Sequence, residues 1–288
     1  MNAPQFSIVT PTRNALAKLR RCVGAVRGQT GVRLEHRVQD ALSTDGTPAW
    51  LQEQMQMHSG LIARSQADAG MYDAINRAWQ QSQGGILAWL NADEQYLPGT
   101  LEFVARYFEQ HPEVDVLFGD YLVADAEGNG VALRKEVPYR RHYVVNGFLY
   151  LASCTLFYRR RLLDSGLLTL DTRYRYAADK DLILRLDEAG ARIAHVPRCL
   201  SIFGIDGSNL STHSRALEEN EAVRVAHGAL QPRWLRPLAT VGRRVERLLN
   251  GAYRPDELQY QYATDEQPHY VLKTARLGGR YTLASQAV

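Results

Sequence analysis

Residues 86–94 have the sequence Ile86-Leu-Ala-Trp-Leu-Asn-Ala-Asp-Glu94. The apolar run Ile86–Leu90 ends abruptly in polar and acidic side chains. A short apolar run bounded in this way is typical of a buried β-strand. We therefore predict a strand over Ile86–Leu90 and an acidic loop, Asn91–Glu94, where the strand ends.

The segments before and after this strand alternate between strand and helix patterns. Short apolar runs predict strands, and apolar residues at helical spacing predict helices. The predicted strands are Phe6–Thr10, Leu34–Gln39 and Leu61–Arg64. The predicted helices are Ala15–Val26, one with its N-cap at Thr47, Met71–Gln81 and Gly99–Gln110. This alternation predicts an α/β fold with a mostly parallel central sheet flanked by helices.

Beyond residue 114 the chain contains longer extended runs. Val114–Val123 and Val131–Arg134 flank a glycine-rich turn, which predicts a hairpin. Two more strands are predicted at Thr155–Tyr158 and Arg192–Val196, with a helix over Asp179–Glu188 between them. We assign residues 1–228 to one α/β domain and residues 229–288 to a C-terminal tail.

The composition is that of an ordinary globular protein. The chain has 288 residues, 45% hydrophobic and 23% charged, with a net charge of +3. Its cysteines, Cys22, Cys154 and Cys199, are odd in number and widely spaced, which argues against a disulfide framework and a zinc site. The sequence has no apolar run long enough to span a membrane and no signal-peptide pattern at its start. We expect a cytoplasmic protein.

Polar side chains cluster where the predicted strands end. The clusters are Thr10–Asn14, Asp40, Arg64–Gly70 and Asn91–Glu94. In parallel α/β sheets, ligands bind beyond the carboxyl ends of the strands. Carboxylates there can hold a divalent cation that bridges the phosphates of a nucleotide, and Asp40 could accept hydrogen bonds from a base or a ribose. The alternatives are a solvated turn for the acidic loop and a turn cap for Asp40.

Several distinct motifs follow one another along the chain. They are Ser7-Ile-Val-Thr-Pro-Thr-Arg-Asn14, Gln39-Asp-Ala-Leu-Ser-Thr-Asp-Gly-Thr47, Asp68-Ala-Gly-Met-Tyr-Asp-Ala-Ile-Asn76, Leu90-Asn-Ala-Asp-Glu94, Phe118-Gly-Asp120 and Ala177-Ala-Asp-Lys-Asp-Leu-Ile-Leu-Arg185. Together they resemble the inverting, GT-A-fold glycosyltransferases of family 2, especially bacterial enzymes that build exopolysaccharide, capsule or O-antigen. The resemblance covers about residues 6–210.

This resemblance implies a role for each matching residue. Asp179 would be the general base, Asp93 would bind Mg²⁺ or Mn²⁺, and Asp40 would contact the nucleobase. The nucleotide-sugar site would also contain Thr10, Pro11, Thr12, Asn14, Arg64, Asp68, Gly70, Asn76, Asn91 and Ala92. Local alternatives stay open: Asp179 can be a helix N-cap, and Gly70 and Asn76 can serve only a left-handed turn.

The resemblance also implies a reaction. A sugar would pass from a nucleotide sugar, with a UDP-sugar as the expected donor, to a hydroxyl of a lipid-linked or polymeric glycan. A hydroxyl nucleophile needs a general base, and a diphosphate leaving group needs its charge stabilised. One alternative is a non-catalytic nucleotide-sugar-binding subunit of a polysaccharide assembly complex. Another is a sugar nucleotidyltransferase, which is disfavoured because the loop Pro11–Asn14 lacks glycine.

The C-terminal tail contains a basic amphipathic segment, Arg233–Arg254. Its arginines are interleaved with Trp234 and aliphatic residues at helical spacing, and Glu246 is its only acid. Such a helix suits an anionic membrane surface, here the inner face of the cytoplasmic membrane. The alternative is a helix whose apolar face packs on the domain. No nucleic-acid-binding module is recognisable, so nucleic acid is not an expected partner.

Overall fold

The N-terminal half of the protein alternates strands with helices as predicted. A computed structural model of the chain describes residues 4–205, 214–264 and 270–279. The first elements are β1 (Phe6–Thr12), α1 (Leu16–Arg27), β2 (Leu34–Asp40), α2 (Thr47–Met57), β3 (Leu61–Ser65), α3 (Met71–Gln80), β4 (Ile86–Trp89), β5 (Gln95–Tyr96) and α4 (Thr100–Gln110). The strands β1 to β4 coincide with the predicted ones to within about two residues.

The second half adds shorter helices and the remaining strands of the sheet. These elements are β6 (Val116–Ala124), β7 (Gly130–Arg134), α5 (Arg141–Asn146), β8 (Phe157–Arg159), α6 (Arg160–Asp164), α7 (Ala178–Glu188), β9 (Ile193–Gly204), α8 (Ser214–Ala226), α9 (Pro237–Leu249), β10 (Asp256–Ala263) and β11 (Tyr270–Leu277). The strand predicted to end at Val196 continues to Gly204, because β9 pairs along its length with β6.

The central sheet has the strand order β3-β2-β1-β4-β8-β6-β9-β5, and β7 pairs with β6 beside this path. The strands β1 to β4 are parallel, as predicted. Strand β8 lies antiparallel between β4 and β6, so the whole sheet is mixed. Since β1 to β4 point the same way, their carboxyl ends share one edge of the sheet.

Helices cover both faces of this sheet. Alternate residues of a strand point to opposite faces, so Trp89 packs with the α3 side chain of Trp79 while the neighbouring Ala88 packs towards α1 and α4. The rings of Trp79, Trp89 and Tyr158 lie 5.4–6.0 Å apart between centroids. This aromatic cluster fixes the end of β4, the strand that leads into the acidic loop.

The start of β1 fits closely against the backbone before β4, and we expect Gly84→Ala to destabilise the protein. A Cβ atom at Gly84 would lie 2.4 Å from the backbone nitrogen of Ser7 and 2.5 Å from the carbonyl carbon of Phe6. Because β1 is central in the sheet and cannot shift freely, the free energy of unfolding should fall by about 2–3 kcal/mol. Urea denaturation measures this loss. Gly85→Ala is the control, since its Cβ would lie 3.7 Å from the nearest atom; equal midpoints for the two variants would contradict the prediction.

Helix α2 begins differently from the prediction. Gly46, with φ of +89°, is the N-cap, and Thr47 is the first helical residue. The Thr47 hydroxyl donates to the Asp45 carboxylate at 2.7 Å rather than capping the helix. Asp45 also accepts a hydrogen bond from the Leu16 amide at 2.9 Å, so it joins the starts of α1 and α2.

The polar segment after Pro255 is a β-hairpin attached to the domain. Strands β10 and β11 pair antiparallel. The side-chain amide of Gln95 exchanges hydrogen bonds with the backbone of Ala263 in β10. Because Gln95 directly follows the acidic loop, this hairpin supports the chain next to that loop.

Helix α9 turns its arginine face towards the domain and its apolar face towards solvent. Arg236 and Arg247 are buried, Arg243 contacts Glu136 at 2.8 Å and Arg236 contacts Glu221 at 2.7 Å. The apolar side chains of Trp234, Leu238, Val241, Val245, Leu248 and Leu249 are 49–80% exposed. The alternative in which the apolar face packs on the domain is therefore wrong, because Glu136 and Glu221 hold the arginine face instead. Within the described ranges, no helix has the length and apolar character needed to cross a bilayer.

Candidate active site

A cleft of about 450 Å³ opens where β1 and β4 end. Its walls come from the loops after these strands and from the first turns of α3 and α7. Predicted site residues that line it together are Pro11, Thr12, Asp68, Gly70, Asn91, Ala92, Asp93 and Asp179. Segments distant in the sequence thus bring the candidate metal ligand and the candidate base into one cleft.

Asp179 lies in the first turn of α7. The N-cap of this helix is Ala177, so Asp179 does not occupy the cap position that was its local alternative. Its Oδ1 accepts a hydrogen bond from the Lys180 amide at 2.8 Å, and the Tyr72 side chain interacts with the same carboxylate. Burial raises the pKa of Asp179 to about 6, outweighing the hydrogen bonds that lower it. A carboxylate with this pKa can accept a proton near neutral pH.

The acidic loop holds two adjacent carboxyl groups. Glu94 is buried, accepts a hydrogen bond from the Asn91 amide at 2.8 Å and receives a longer one from the Ser153 hydroxyl at 3.4 Å. Burial and, secondarily, the charge of Asp93 raise the pKa of Glu94 well above its usual range. A cation next to this pair would favour the ionised form of both carboxyl groups.

The same loop offers oxygen atoms suited to a hard divalent cation. The Oδ1 atom of Asn91 is buried without a hydrogen-bond partner, and it belongs to a residue that lines the cleft beside Asp93. The part of the chain that the structure describes contains no group of three or more His, Cys, Asp or Glu side chains able to hold a metal alone. Mg²⁺ commonly binds through one or two carboxylates and takes its other ligands from water and substrate phosphates. The loop therefore fits a cation that binds together with a phosphorylated ligand.

Two other residues that were predicted to bind the nucleotide sugar hold the loops behind the cleft instead. Asp40 is fully buried and accepts hydrogen bonds from the hydroxyls of Ser43 and Ser65, which is the turn-cap arrangement. The Asn14 side-chain oxygen accepts a hydrogen bond from the Thr44 amide at 2.8 Å. These contacts join the loops after β1 and β2 to the end of β3, and neither side chain lines the cleft.

Three further predicted residues also lie outside the lining. Thr10 is buried and shares a hydrogen bond with Nε2 of His36 at 2.9 Å. The side chain of Asn76 binds both the amide and the carbonyl of Leu170, at 2.9 and 2.8 Å. Asn76 thus supports a distant loop rather than the turn at Gly70, and Arg64 is exposed at the end of β3.

Sequence reasoning missed several residues of the cleft. They are Arg13, Lys18, Tyr72, Trp89, Ser153, Arg175, Tyr176 and Phe203. The basic members bring positive charge into the cleft, which suits a phosphorylated ligand. Tyr72 shares helical spacing with Ile75 and Trp79, so its pattern is that of a core residue. For Arg175 and Tyr176 the available signal was their position directly before the motif that contains Asp179.

Comparison with known proteins identifies the family of the chain. Residues 7–167 match the model of a family described as Glycosyl transferase family 2. A PGL/p-HBAD biosynthesis glycosyltransferase from Mycobacterium bovis (strain BCG / Pasteur 1173P2) is 30% identical over 189 residues, which are 64% of this chain and 70% of the relative.

Solved structures share the fold at lower sequence identity. TarS 1-349 of S. aureus in complex with UDP-GlcNAc is 17% identical with a TM-score of 0.62, over 92% of this chain and 98% of that one. Mannosyltransferase PcManGT from Pyrobaculum calidifontis in complex with GDP-Man and Mn²⁺ is 18% identical with a TM-score of 0.62, over 84% of this chain and 70% of that one. Since the family match spans more than half of the chain and the fold is that of GT-A enzymes, the protein is a glycosyltransferase that belongs to family 2.

Proposed function

We propose that this enzyme transfers a sugar from a nucleotide sugar, with a UDP-sugar as the first candidate, to a hydroxyl of a lipid-linked or polymeric glycan. The observation that carries the proposal is that Asp179 and Asp93 line one cleft. The structural neighbours in complex with UDP-GlcNAc and GDP-Man support the donor class. The alternative of a non-catalytic binding subunit is set aside, because the chain belongs to a family of glycosyltransferases.

Asp179 is the proposed proton acceptor. The acceptor oxygen attacks the anomeric carbon while the bond from that carbon to the diphosphate oxygen breaks, and the acceptor proton passes to the Asp179 carboxylate. Attack from the side opposite the leaving group inverts the anomeric configuration. The hydrogen bond from the Lys180 amide orients the carboxylate without protonating it.

Asp93, with Asn91 and Glu94 beside it, would hold Mg²⁺ or Mn²⁺. When bound, such a cation neutralises charge on the donor phosphates. Arg13 and Lys18 line the same cleft and add positive charge there. The mannosyltransferase neighbour, which was determined with Mn²⁺, supports a divalent cation in this fold.

The proposal is tested with the purified full chain and a panel of UDP-, GDP- and TDP-sugars, with and without MnCl₂, and with soluble and lipid-linked saccharide acceptors. We expect acceptor-dependent release of the nucleoside diphosphate, and a product linkage of inverted configuration by NMR. Calorimetry that shows no nucleoside diphosphate binding in either buffer would overturn the donor class, and a retained configuration would overturn inversion.

We also propose a cytoplasmic location, since all three cysteines are free thiols, the form that reducing compartments maintain.

We expect kcat/KM to fall as the pH drops through about 6. Asp179 can accept a proton only as the carboxylate, and burial raises its pKa to about 6, so the active form predominates above this pH and is lost below it. In the acid limb, kcat/KM should fall about tenfold per pH unit. Initial rates at saturating metal from pH 5 to 8 give the profile. A rate that stays constant down to pH 5 would contradict the assignment of Asp179 as the base.

A further inference from the structure

The turn Arg233–Leu235 and helix α9 carry an apolar stripe that no other described part of the chain covers. The stripe consists of Trp234, Leu238, Val241, Val245, Leu248 and Leu249, which follow one another mainly at three- and four-residue spacing and are 49–80% exposed. This spacing places them along one face of the helix. Isolated apolar side chains are common on protein surfaces, whereas a contiguous stripe that includes an indole marks an interaction site.

The outward orientation of the stripe is fixed from the opposite face of α9. The side chain of Glu136 is fully buried, and Arg243 and Arg247 of α9 are among its cationic partners, at 2.8 and 3.7 Å. Arg236 makes a second contact, to Glu221, at 2.7 Å. Rotating α9 to bury the stripe would remove Arg243 and Arg247 from the buried Glu136 carboxylate, which is strongly unfavourable. The protein therefore holds the apolar stripe towards solvent.

Exposed arginines border the stripe. Arg244 follows Val241 by three residues and precedes Leu248 by four, so it flanks the stripe on the helix surface. Arg233 and Arg254 are exposed near its two ends. The only acid of the segment, Glu246, pairs with Arg140.

We propose that the stripe and its arginines dock on an anionic phospholipid bilayer, with α9 lying in the plane of the interface. Apolar side chains with an indole suit the acyl boundary, and the arginines suit the anionic headgroups. A second copy of the chain fits less well, because a symmetric contact through this face would bring the same arginines together. The helix is also too short to form a stable two-stranded coiled coil.

Docking through α9 has a structural consequence for the active site. Helix α9 packs on α5, and α5 packs on α7, whose first turn contains Asp179. A bound α9 would hold the Asp179 helix at a defined distance from the bilayer, which suits an acceptor anchored in lipid. This consequence rests on the proposed function, whereas the docking itself does not.

The test is flotation of the full chain with vesicles of phosphatidylcholine alone or with one quarter phosphatidylglycerol. Leu238→Gln/Leu248→Gln alters two side chains that are each 63% exposed, and the control Met57→Gln/Leu272→Gln alters two that are each 60% exposed elsewhere. We expect the wild type and the control to float with anionic vesicles at low salt. The stripe variant should have a partition coefficient at least about tenfold lower, since one leucine fully removed from water is worth about that factor.

A second variant separates the electrostatic part of docking from the apolar part. Arg244→Gln/Arg254→Gln should weaken binding to anionic vesicles about tenfold or more and leave the weaker binding to neutral vesicles unchanged. It keeps the proposal testable should the stripe variant fail to fold.

Wild-type protein that stays unbound at low salt would overturn the proposal, as would a folded stripe variant that floats like wild type. Light scattering that shows a wild-type dimer, lost in the stripe variant, without vesicle binding would identify a second copy as the occupant instead. Donor binding, measured in parallel, reports on the proposed function separately.

Discussion

Asp179→Asn is expected to lower kcat by about a hundred- to ten-thousandfold while donor affinity stays near the wild-type value. The amide has the size of the carboxylate and can still accept the hydrogen bond from the Lys180 amide. It cannot accept the proton of the acceptor hydroxyl. The substitution also removes a charge from a half-buried position, so it should not destabilise the fold. Steady-state rates on the acceptor and calorimetry with UDP measure the two parts of this prediction.

Asp187→Asn is the matched control for this variant. Asp187 lies in the same helix and pairs with Arg141 at 3.3 Å near the surface, so its loss should change stability little and turnover hardly at all. Wild-type turnover in Asp179→Asn would show that another residue is the base. An equal loss in both variants would show that α7 is sensitive to any change of charge.

The parallel part of the fold follows from the sequence because its signals are local. The strands β1 to β4 are short apolar runs separated by helices with clear apolar periodicity, and each lies where the sequence predicts it. The place of β8 within the sheet, between β4 and β6, could not be predicted in this way. Its pairing with β4 joins Arg159 to Ile86 and depends on contacts that no local pattern encodes. Long-range strand pairing is set by the whole core rather than by one segment.

The candidate site was predictable as a region more than as a set of contacts. Strand ends and motifs indicated where Asn91, Asp93 and Asp179 would meet. They could not show that the Asp40 carboxylate would accept hydrogen bonds from two serines, or that Asn76 would bind the backbone of Leu170. A polar side chain at a strand end can face a ligand or hold a loop, and only its surroundings decide between these uses.

The tail shows a related limit. Its amphipathic pattern correctly indicates a helix with an arginine face and an apolar face, but not which face packs on the domain. The usual expectation is that the apolar face is buried. Here Glu136 and Glu221, distant in the sequence, pair with the arginines and reverse that orientation. The deciding residues lie outside the helix, so the helix sequence alone could not reveal the outcome.

Asp93→Asn is expected to lower kcat/KM by at least about a hundredfold, which corresponds to about 2.7 kcal/mol of transition-state stabilisation. The amide is similar in size to the carboxylate but lacks its charge, so it binds a divalent cation weakly. The loss should appear in the metal-dependent part of donor binding. Calorimetry with UDP and a UDP-sugar, in buffer with MnCl₂ and in buffer with a chelator, separates that part from the rest.

The sign of the effect without metal distinguishes a metal ligand from a structural residue. In chelator, Asp93→Asn removes a negative charge near the expected diphosphate position, so UDP should bind no more weakly than to the wild type. In MnCl₂ the same variant should bind UDP more weakly than the wild type, so the order of affinities reverses between the two buffers. Asp68→Asn is the control, since Asp68 lines the same cleft and the substitution changes its charge by the same amount. Its effect on UDP affinity should be equal in the two buffers. Equal losses for Asp93→Asn with and without metal would show that Asp93 contributes to donor binding without holding a cation.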